Sequence, residues 1–87
     1  MTPNARLFQA VNALYDAVIS ALRTKAMTAY YPKTTQDLHD YAMHALGLAR
    51  YVLSSADSLP HRGTLEAALE ETRAAYAERS LDAPVEL

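Results

Sequence analysis

The sequence predicts an all-α protein, a small domain of three helices with a long antiparallel hairpin. Apolar residues recur at intervals of three and four in three separate stretches, which is the period of an α-helix. Hydrophobic residues make up 51% of the chain, and many are alanines, which favour helices. We expect helices over about 4–27, 35–57 and 64–80 and a loose tail over 82–87, all within one domain over 1–87.

The first predicted helix carries a wide apolar face. Thr2 or Asn4 can cap its start, and Pro3 is acceptable in its first turn. The apolar residues of this face are Leu7, Phe8, Val11, Leu14, Tyr15, Val18, Ile19 and Leu22. Adjacent pairs broaden the face beyond the seam of a two-stranded coiled coil, so we expect it to contact more than one neighbour.

The second helix has a clear start signal and an unusual glycine. Pro32 disfavours the helical conformation at the residue before it, and Thr34 with Asp37 has the spacing of a capping box. Thr35 is the alternative cap. Gly47 lies inside the apolar repeat and costs about 1 kcal/mol relative to alanine. We therefore expect another backbone to approach closely at this position.

The third helix follows a turn that contains Pro60 and Gly63. Thr64 is the predicted cap, although Ser58 could start the helix earlier with the proline in its first turn. The outer face of this helix is rich in glutamate and arginine, which is typical of a solvated surface.

Charge and composition exclude several classes of function. The net charge is −2 and the eight Lys and Arg residues are dispersed, which argues against binding to duplex nucleic acid. No apolar run approaches the length that crosses a bilayer, and the N-terminus lacks the pattern of a signal peptide. The chain has no cysteine, so we expect neither disulfides nor thiolate metal sites. These features indicate a cytoplasmic protein that buries a modest core and forms a homo-oligomer.

The loop before the second helix is the leading candidate for a binding site. Tyr30 and Tyr31 can stack on nucleotide bases, Lys33 can meet a phosphate, and Thr34 and Thr35 offer hydroxyls at a helix start. The structural alternative is a hydrophobic staple and cap, in which Tyr31 only packs on the second helix and Lys33 is only solvated.

A second loop has similar ingredients but a weaker pattern. Arg62 and Thr64 lie at a predicted helix N-terminus, where the helix dipole favours an anion. An ordinary interhelical turn is the favoured explanation of these residues. His39 and His44 are five residues apart and should face different directions, so we expect no metal site. The sequence has no Ser-His-Asp order and, with two glycines, no glycine-rich phosphate loop, so we expect no catalytic centre and no cofactor.

The order of residues from Tyr30 to about Arg79 resembles a family of small phage proteins. The matching features are the tyrosine, the proline-lysine pair, Gln36, Tyr41, the alanine-rich helix with Leu48 and Ala49, the proline turn, and Leu69-Glu70-Glu71. That family sequesters the cyclic oligonucleotide signals of the bacterial CBASS and Thoeris immune systems. The resemblance covers roughly the last two thirds of the chain.

The resemblance implies a compact homo-oligomer in the cytoplasm of an infected bacterium. It also implies a cyclic di- or trinucleotide held between protomers without being cleaved. Tyr31 and Lys33, with Thr34 or Thr35, match the loop implicated in ligand contact, and Arg62 and Thr64 match the polar turn after the proline. The expected function is therefore that of a non-enzymatic, anti-defence sponge.

An interaction module is the alternative function. In that case the first helix would offer its apolar face to a groove on a host protein, with Leu7, Val11, Leu14 and Val18 as anchors. A third possibility is a purely structural helical subunit. Neither of these functions needs a ligand pocket.

Overall fold

The structure is a computed structural model that describes residues 2–23, 30–55 and 58–78. It contains three helices, α1 (Pro3–Leu22), α2 (Thr35–Ser55) and α3 (Arg62–Glu78), and no strand in these ranges. The predicted class, an all-α three-helix fold with an α2–α3 hairpin, is confirmed. The tail predicted over 82–87 lies outside the described residues.

The first helix starts as predicted but ends earlier. The Ala5 amide donates to Thr2 Oγ1 at 3.1 Å, so Thr2 is the cap and Asn4 lies within the helix. Arg23 adopts the left-handed conformation, with φ 56°, and its amide donates to the Ser20 carbonyl at 3.3 Å. The predicted continuation to about residue 27 is therefore wrong, because Ala21 is the last residue of α1 that is buried in the core.

The third helix begins two residues before the predicted cap. The Leu65 amide donates to the His61 carbonyl at 3.1 Å, so His61, with φ 56°, occupies the cap position and Thr64 lies inside the first turn. Arg62 links this start to the end of α2, since its guanidinium donates to the Leu53 carbonyl at 3.2 Å. The early start follows from this link between the two helices. The predicted ends of α2 at 57 and of α3 at 80 fall on residues outside the described ranges.

The central element of the fold is α1, which packs against α2 and α3 more extensively than these pack against each other. The prediction that its wide face contacts more than one neighbour is confirmed. Leu7, Val11 and Leu14 are fully buried, and Val18 is 1% exposed. The four residues expected to anchor a partner protein therefore form the hydrophobic core of the chain itself.

Alanines and one threonine complete the core. Ala42, Ala49 and Ala75 are fully buried, which lets the helices approach closely. Thr72 is also fully buried, and its hydroxyl oxygen lies 3.1 Å from the Ala10 carbonyl of α1 and 2.8 Å from the Ala68 carbonyl. The threonine therefore satisfies its hydroxyl while it joins α3 to α1.

Ion pairs decorate the outer edge of the α1–α3 contact. Arg6 of α1 pairs with Glu71 at 2.9 Å and also with Glu78, both on α3. Exposed pairs of this kind contribute little to stability.

No helix in the described part of the chain is long and apolar enough to cross a membrane.

Candidate functional site

A cluster of aromatic rings lies along the contact between α1 and α2 and extends into the loop before α2. We call it the aromatic cluster, and its members are Phe8, Tyr15, Tyr30, Tyr31, Tyr41 and His44. Tyr15 and Tyr41 stack with their centroids 5.1 Å apart and an interplanar angle of 14°. The ring of Phe8 lies 6.4 Å from that of Tyr41. Aromatic pairs in this range add stabilisation beyond the area that they bury.

Hydrogen bonds fix the rings at the centre of the cluster. The Tyr41 hydroxyl donates to Asn12 Oδ1 at 2.6 Å, and the Tyr15 hydroxyl pairs with His44 Nδ1. Burial, with smaller contributions from the phenol of Tyr15 and the carboxyl of Asp16, raises the pKa of Tyr41 to about 12. Burial also raises the pKa of Tyr15. Both phenols are therefore neutral hydrogen-bonding groups at physiological pH.

The loop before α2 places two more tyrosine rings on this rigid base. The Tyr30 ring lies 4.7 Å from Tyr41, and the Tyr31 ring lies 5.9 Å from Phe8. Both rings remain accessible, with Tyr30 42% and Tyr31 65% exposed. Pro32 between them and α2 is buried and anchors the loop. The two rings are thus supported from one side and open to solvent on the other.

The polar residues of the loop are partly used by the helix cap. The Asp37 amide donates to Thr34 Oγ1 at 3.0 Å, which confirms that Thr34 caps α2 and makes Thr35 its first residue. The Asp37 carboxylate in turn accepts from the Lys33 amide at 3.2 Å. This carboxylate lowers the anion affinity of the helix start, because it already lies there. The Lys33 side chain is exposed and forms no ion pair with any described residue.

The second predicted loop lies at the other end of α2. Arg62 is engaged with Glu66 at 2.8 Å and with the Leu53 carbonyl, so its guanidinium serves the α2–α3 turn. A helix of 21 residues is about 30 Å long. The structure therefore does not bring Arg62 and Thr64 to Tyr31 and Lys33 within one chain. The seven predicted site residues form two separate groups.

Sequence reasoning missed the residues that support the loop. Phe8, Asn12 and Tyr41 come from two different helices and hold the exposed rings in place. The excess of tyrosine over other aromatic residues was the available signal, but it does not say which rings meet. Tyr51 shows the limit of that signal, because it is 68% exposed and stands outside the cluster.

The two helix-two histidines face different neighbours, as their spacing predicts. His39 Nδ1 lies 2.8 Å from the Tyr76 hydroxyl of α3, whereas His44 pairs with Tyr15 of α1. Among the described residues, no three His, Asp or Glu side chains converge in a way that could hold a metal ion.

An open groove of about 410 Å³ lies between α1 and the start of α3. Its lining residues are Ala13, Asp16, Ala17, Ser20, His61 and Thr64. Thr64 is therefore accessible, but it faces this groove rather than the aromatic cluster.

Comparisons with protein-family models, curated proteins and solved structures give no match for this chain.

Proposed function

We propose that the protein is a non-enzymatic binding protein that sequesters a cyclic nucleotide signal through the loop before α2. The observation that carries this proposal is the pair of exposed rings, Tyr30 and Tyr31, held on the partly buried rings of Phe8 and Tyr41. Lys33 lies in the same loop, and its ammonium forms no ion pair with any described residue. A nucleotide presents the matching chemistry, flat bases and a phosphodiester anion. Rings that are already held in place lose little conformational entropy on binding.

The magnitudes favour stacking over charge as the main source of affinity. A base stacked on an aromatic side chain contributes about 1–3 kcal/mol, and two accessible rings offer two such contacts. The charge of Lys33 is partly offset by the Asp37 carboxylate at the same helix start. A ligand with two bases and few charges, such as a cyclic dinucleotide, suits this balance better than a highly charged polynucleotide.

Sequestration fits the chemistry of the loop, because it requires affinity and slow release rather than turnover. In the alternative function, α1 inserts its apolar face into a partner's groove. The residues that would anchor it there are buried in the core of the chain. Leu7, Leu14 and Val18 are at most 1% exposed, so α1 would have to leave the core to offer them. The nucleotide proposal needs no such rearrangement.

The test is thermal unfolding of the purified protein with a panel of cyclic di- and trinucleotides. A ligand at a hundred times its Kd stabilises the folded state by about 2.7 kcal/mol, which raises Tm by about 10–20 °C for a domain of this size. The double variant Tyr31→Ala/Lys33→Ala should lose this shift while it keeps its helical circular dichroism. Tyr31→Phe should retain most of the shift, because it keeps the stacking face.

Arg73→Ala is the matched control for charge. It removes one exposed cation that pairs only locally, with Glu70 at 3.0 Å, and should leave the ligand-induced shift unchanged. A flat response to the whole panel would refute cyclic nucleotide binding. A full shift in the double variant would instead remove the loop from the mechanism.

A further inference from the structure

The outward face of α2 contains a glycine that the chain itself does not explain. Gly47 is exposed, and a Cβ atom built there would meet no other atom within 4 Å. The close backbone approach expected at this position is therefore absent within the described chain. A glycine in a helix interior is destabilising, so this position carries a cost without an intramolecular benefit.

Gly47 stands at the centre of the face that points away from the core. The exposed positions of this face are Asp40, Met43, Gly47, Arg50, Tyr51 and Ser54. Two of them are large apolar residues left open to solvent, Met43 at 44% and Tyr51 at 68% exposure. An outward helix face is normally polar, so two exposed apolar residues there indicate a surface that contacts another molecule.

The spacing of these residues is symmetric about the glycine. Met43 precedes Gly47 by four residues and Tyr51 follows it by four. If two copies of α2 cross antiparallel at Gly47, each Met43 therefore reaches the level of the other copy's Tyr51. Methionine sulfur and aromatic rings form favourable contacts. A two-fold interface requires this reciprocity, in which residue i meets j and j meets i.

The charges of the face agree with the same register. In the antiparallel arrangement, Arg50 of one copy lies about 6 Å along the axis from Asp40 of the other, within reach of an arginine side chain. Neither residue forms a salt bridge with a described residue of its own chain, and the Asp40 carboxylate accepts only from Gln36 at 2.9 Å. Because the two-fold axis repeats this contact, the interface would contain two Asp40–Arg50 pairs.

We propose that the α2 face centred on Gly47 is the interface of a homodimer, with a two-fold axis that passes between the two glycines. Glycine permits the backbones to approach, Met43 and Tyr51 supply the apolar contact, and Asp40 with Arg50 fixes the antiparallel direction. A strip about 30 Å long and 10 Å wide gives only about 300 Å² per copy, below the range of tight complexes. The dimer is therefore weak.

The antiparallel register also places the start of one α2 beside the α2–α3 turn of the other copy. Tyr31 and Lys33 of one protomer then lie at the same end of the dimer as the partner's Arg62, so residues from both predicted groups lie at each end. This consequence rests on the proposed function, whereas the dimer does not. Self-association is measured without nucleotide, so the two proposals fail separately.

Sedimentation equilibrium over about 1 µM to 1 mM protein tests the dimer, because this range covers weak homodimers. The wild-type protein should self-associate, and Gly47→Arg should raise the dimer Kd by about tenfold or more. The same charge placed on the exposed face of α3, in Ala74→Arg, should leave the Kd unchanged. Helicity by circular dichroism should not fall in either variant, since both positions are exposed.

A charge exchange tests the direction of packing. Asp40→Arg and Arg50→Asp should each weaken the dimer, and the double exchange should restore it. Because the chain has no cysteine, Gly47→Cys can also report the axis. It should oxidise to a covalent dimer, since a disulfide needs Cα atoms within about 7 Å, whereas Ala74→Cys should not. A wild-type protein that stays monomeric to 1 mM, or a dimer that Gly47→Arg does not weaken, overturns the proposal.

Discussion

The two contacts of α1 are built from different kinds of side chain. Against α3 the contact is mainly aliphatic, with Leu65, Thr72 and Ala75 fully buried. Against α2 it is aromatic, with Tyr15 stacked on Tyr41 and the rings of the loop left open at one edge. The side chains at the centre of the α1–α3 contact are therefore shielded from solvent and leave no accessible face there. The rings at the edge of the α1–α2 contact keep accessible faces.

This difference separates a contact that serves the fold from one that can also serve binding. The α1–α3 contact buries all of its central side chains, so its residues contribute mainly to stability. The α1–α2 contact buries Tyr15 and half-buries Tyr41, but it leaves 65% of Tyr31 exposed. Substitutions on the two sides should therefore have different effects on unfolding and on ligand binding.

The largest expected effect on stability is at the α1–α3 contact. Leu65→Ala removes a fully buried side chain and leaves a cavity, which should lower the free energy of unfolding by about 2–5 kcal/mol. Tyr31→Ala, in the exposed loop before α2, should change the free energy of unfolding by only about 0.5 kcal/mol. Urea unfolding followed by circular dichroism measures both. Equal losses would show that Tyr31 is packed as tightly as Leu65. That result would contradict the difference drawn between the two contacts.

An intermediate effect is expected for the hydroxyl that joins α1 to α3. Thr72→Val keeps the shape of the side chain but removes its hydroxyl, which should cost about 1 kcal/mol. The Ala10 and Ala68 carbonyls both lie inside helices and keep their helical partners. The same urea titration measures the change. A loss as large as that of Leu65→Ala would mean that the hydrogen bond, and not packing, dominates this contact.

Among the substitutions within the helices, the smallest effect at neutral pH is expected at the centre of the aromatic cluster. Tyr41→Phe removes the hydroxyl that donates to Asn12, and because Tyr41 is only half-buried, water can replace this bond. The free energy of unfolding should fall by about 0.5 kcal/mol. Thermal or urea unfolding at pH 7 checks this value.

Alkaline pH sharpens the same comparison. Folding raises the pKa of Tyr41 from its ordinary value of 10.0 to about 12, so the unfolded chain loses this proton first. The stability that depends on the neutral phenol is fully present below pH 10 and is lost as the pH rises through 12. Tyr41→Phe should flatten this loss without abolishing it, because Tyr15 also has a raised pKa. Identical pH profiles would contradict the burial of Tyr41.

Features that depend on neighbouring residues were predictable, and features that depend on distant ones were not. The Thr2 and Thr34 caps follow from side chains that reach amides three residues away. The start of α3 was misplaced because Arg62 reaches back to the Leu53 carbonyl, a contact that no local pattern reveals. The end of α1 was misplaced because a helix without an apolar face to bury has little reason to continue.

The candidate site divides in the same way. The residues of the exposed loop, Tyr30 to Lys33, could be selected from their chemistry alone. Their support by Phe8 and Tyr41 depends on how α1 lies against α2, and the sequence contains no local record of that contact. Arg62 lies apart from this loop within one chain, because the length of α2 separates them.

By itself the sequence determined three helices, two of their caps and the apolar faces that form the core, because helical period and capping act over a few residues. Only the tertiary structure decided that α1 is the central helix, that Tyr15 stacks on Tyr41, and that Gly47 faces outward. These outcomes depend on which faces meet. That choice is made by the packing of the whole core, in which every side chain must fit its neighbours at once.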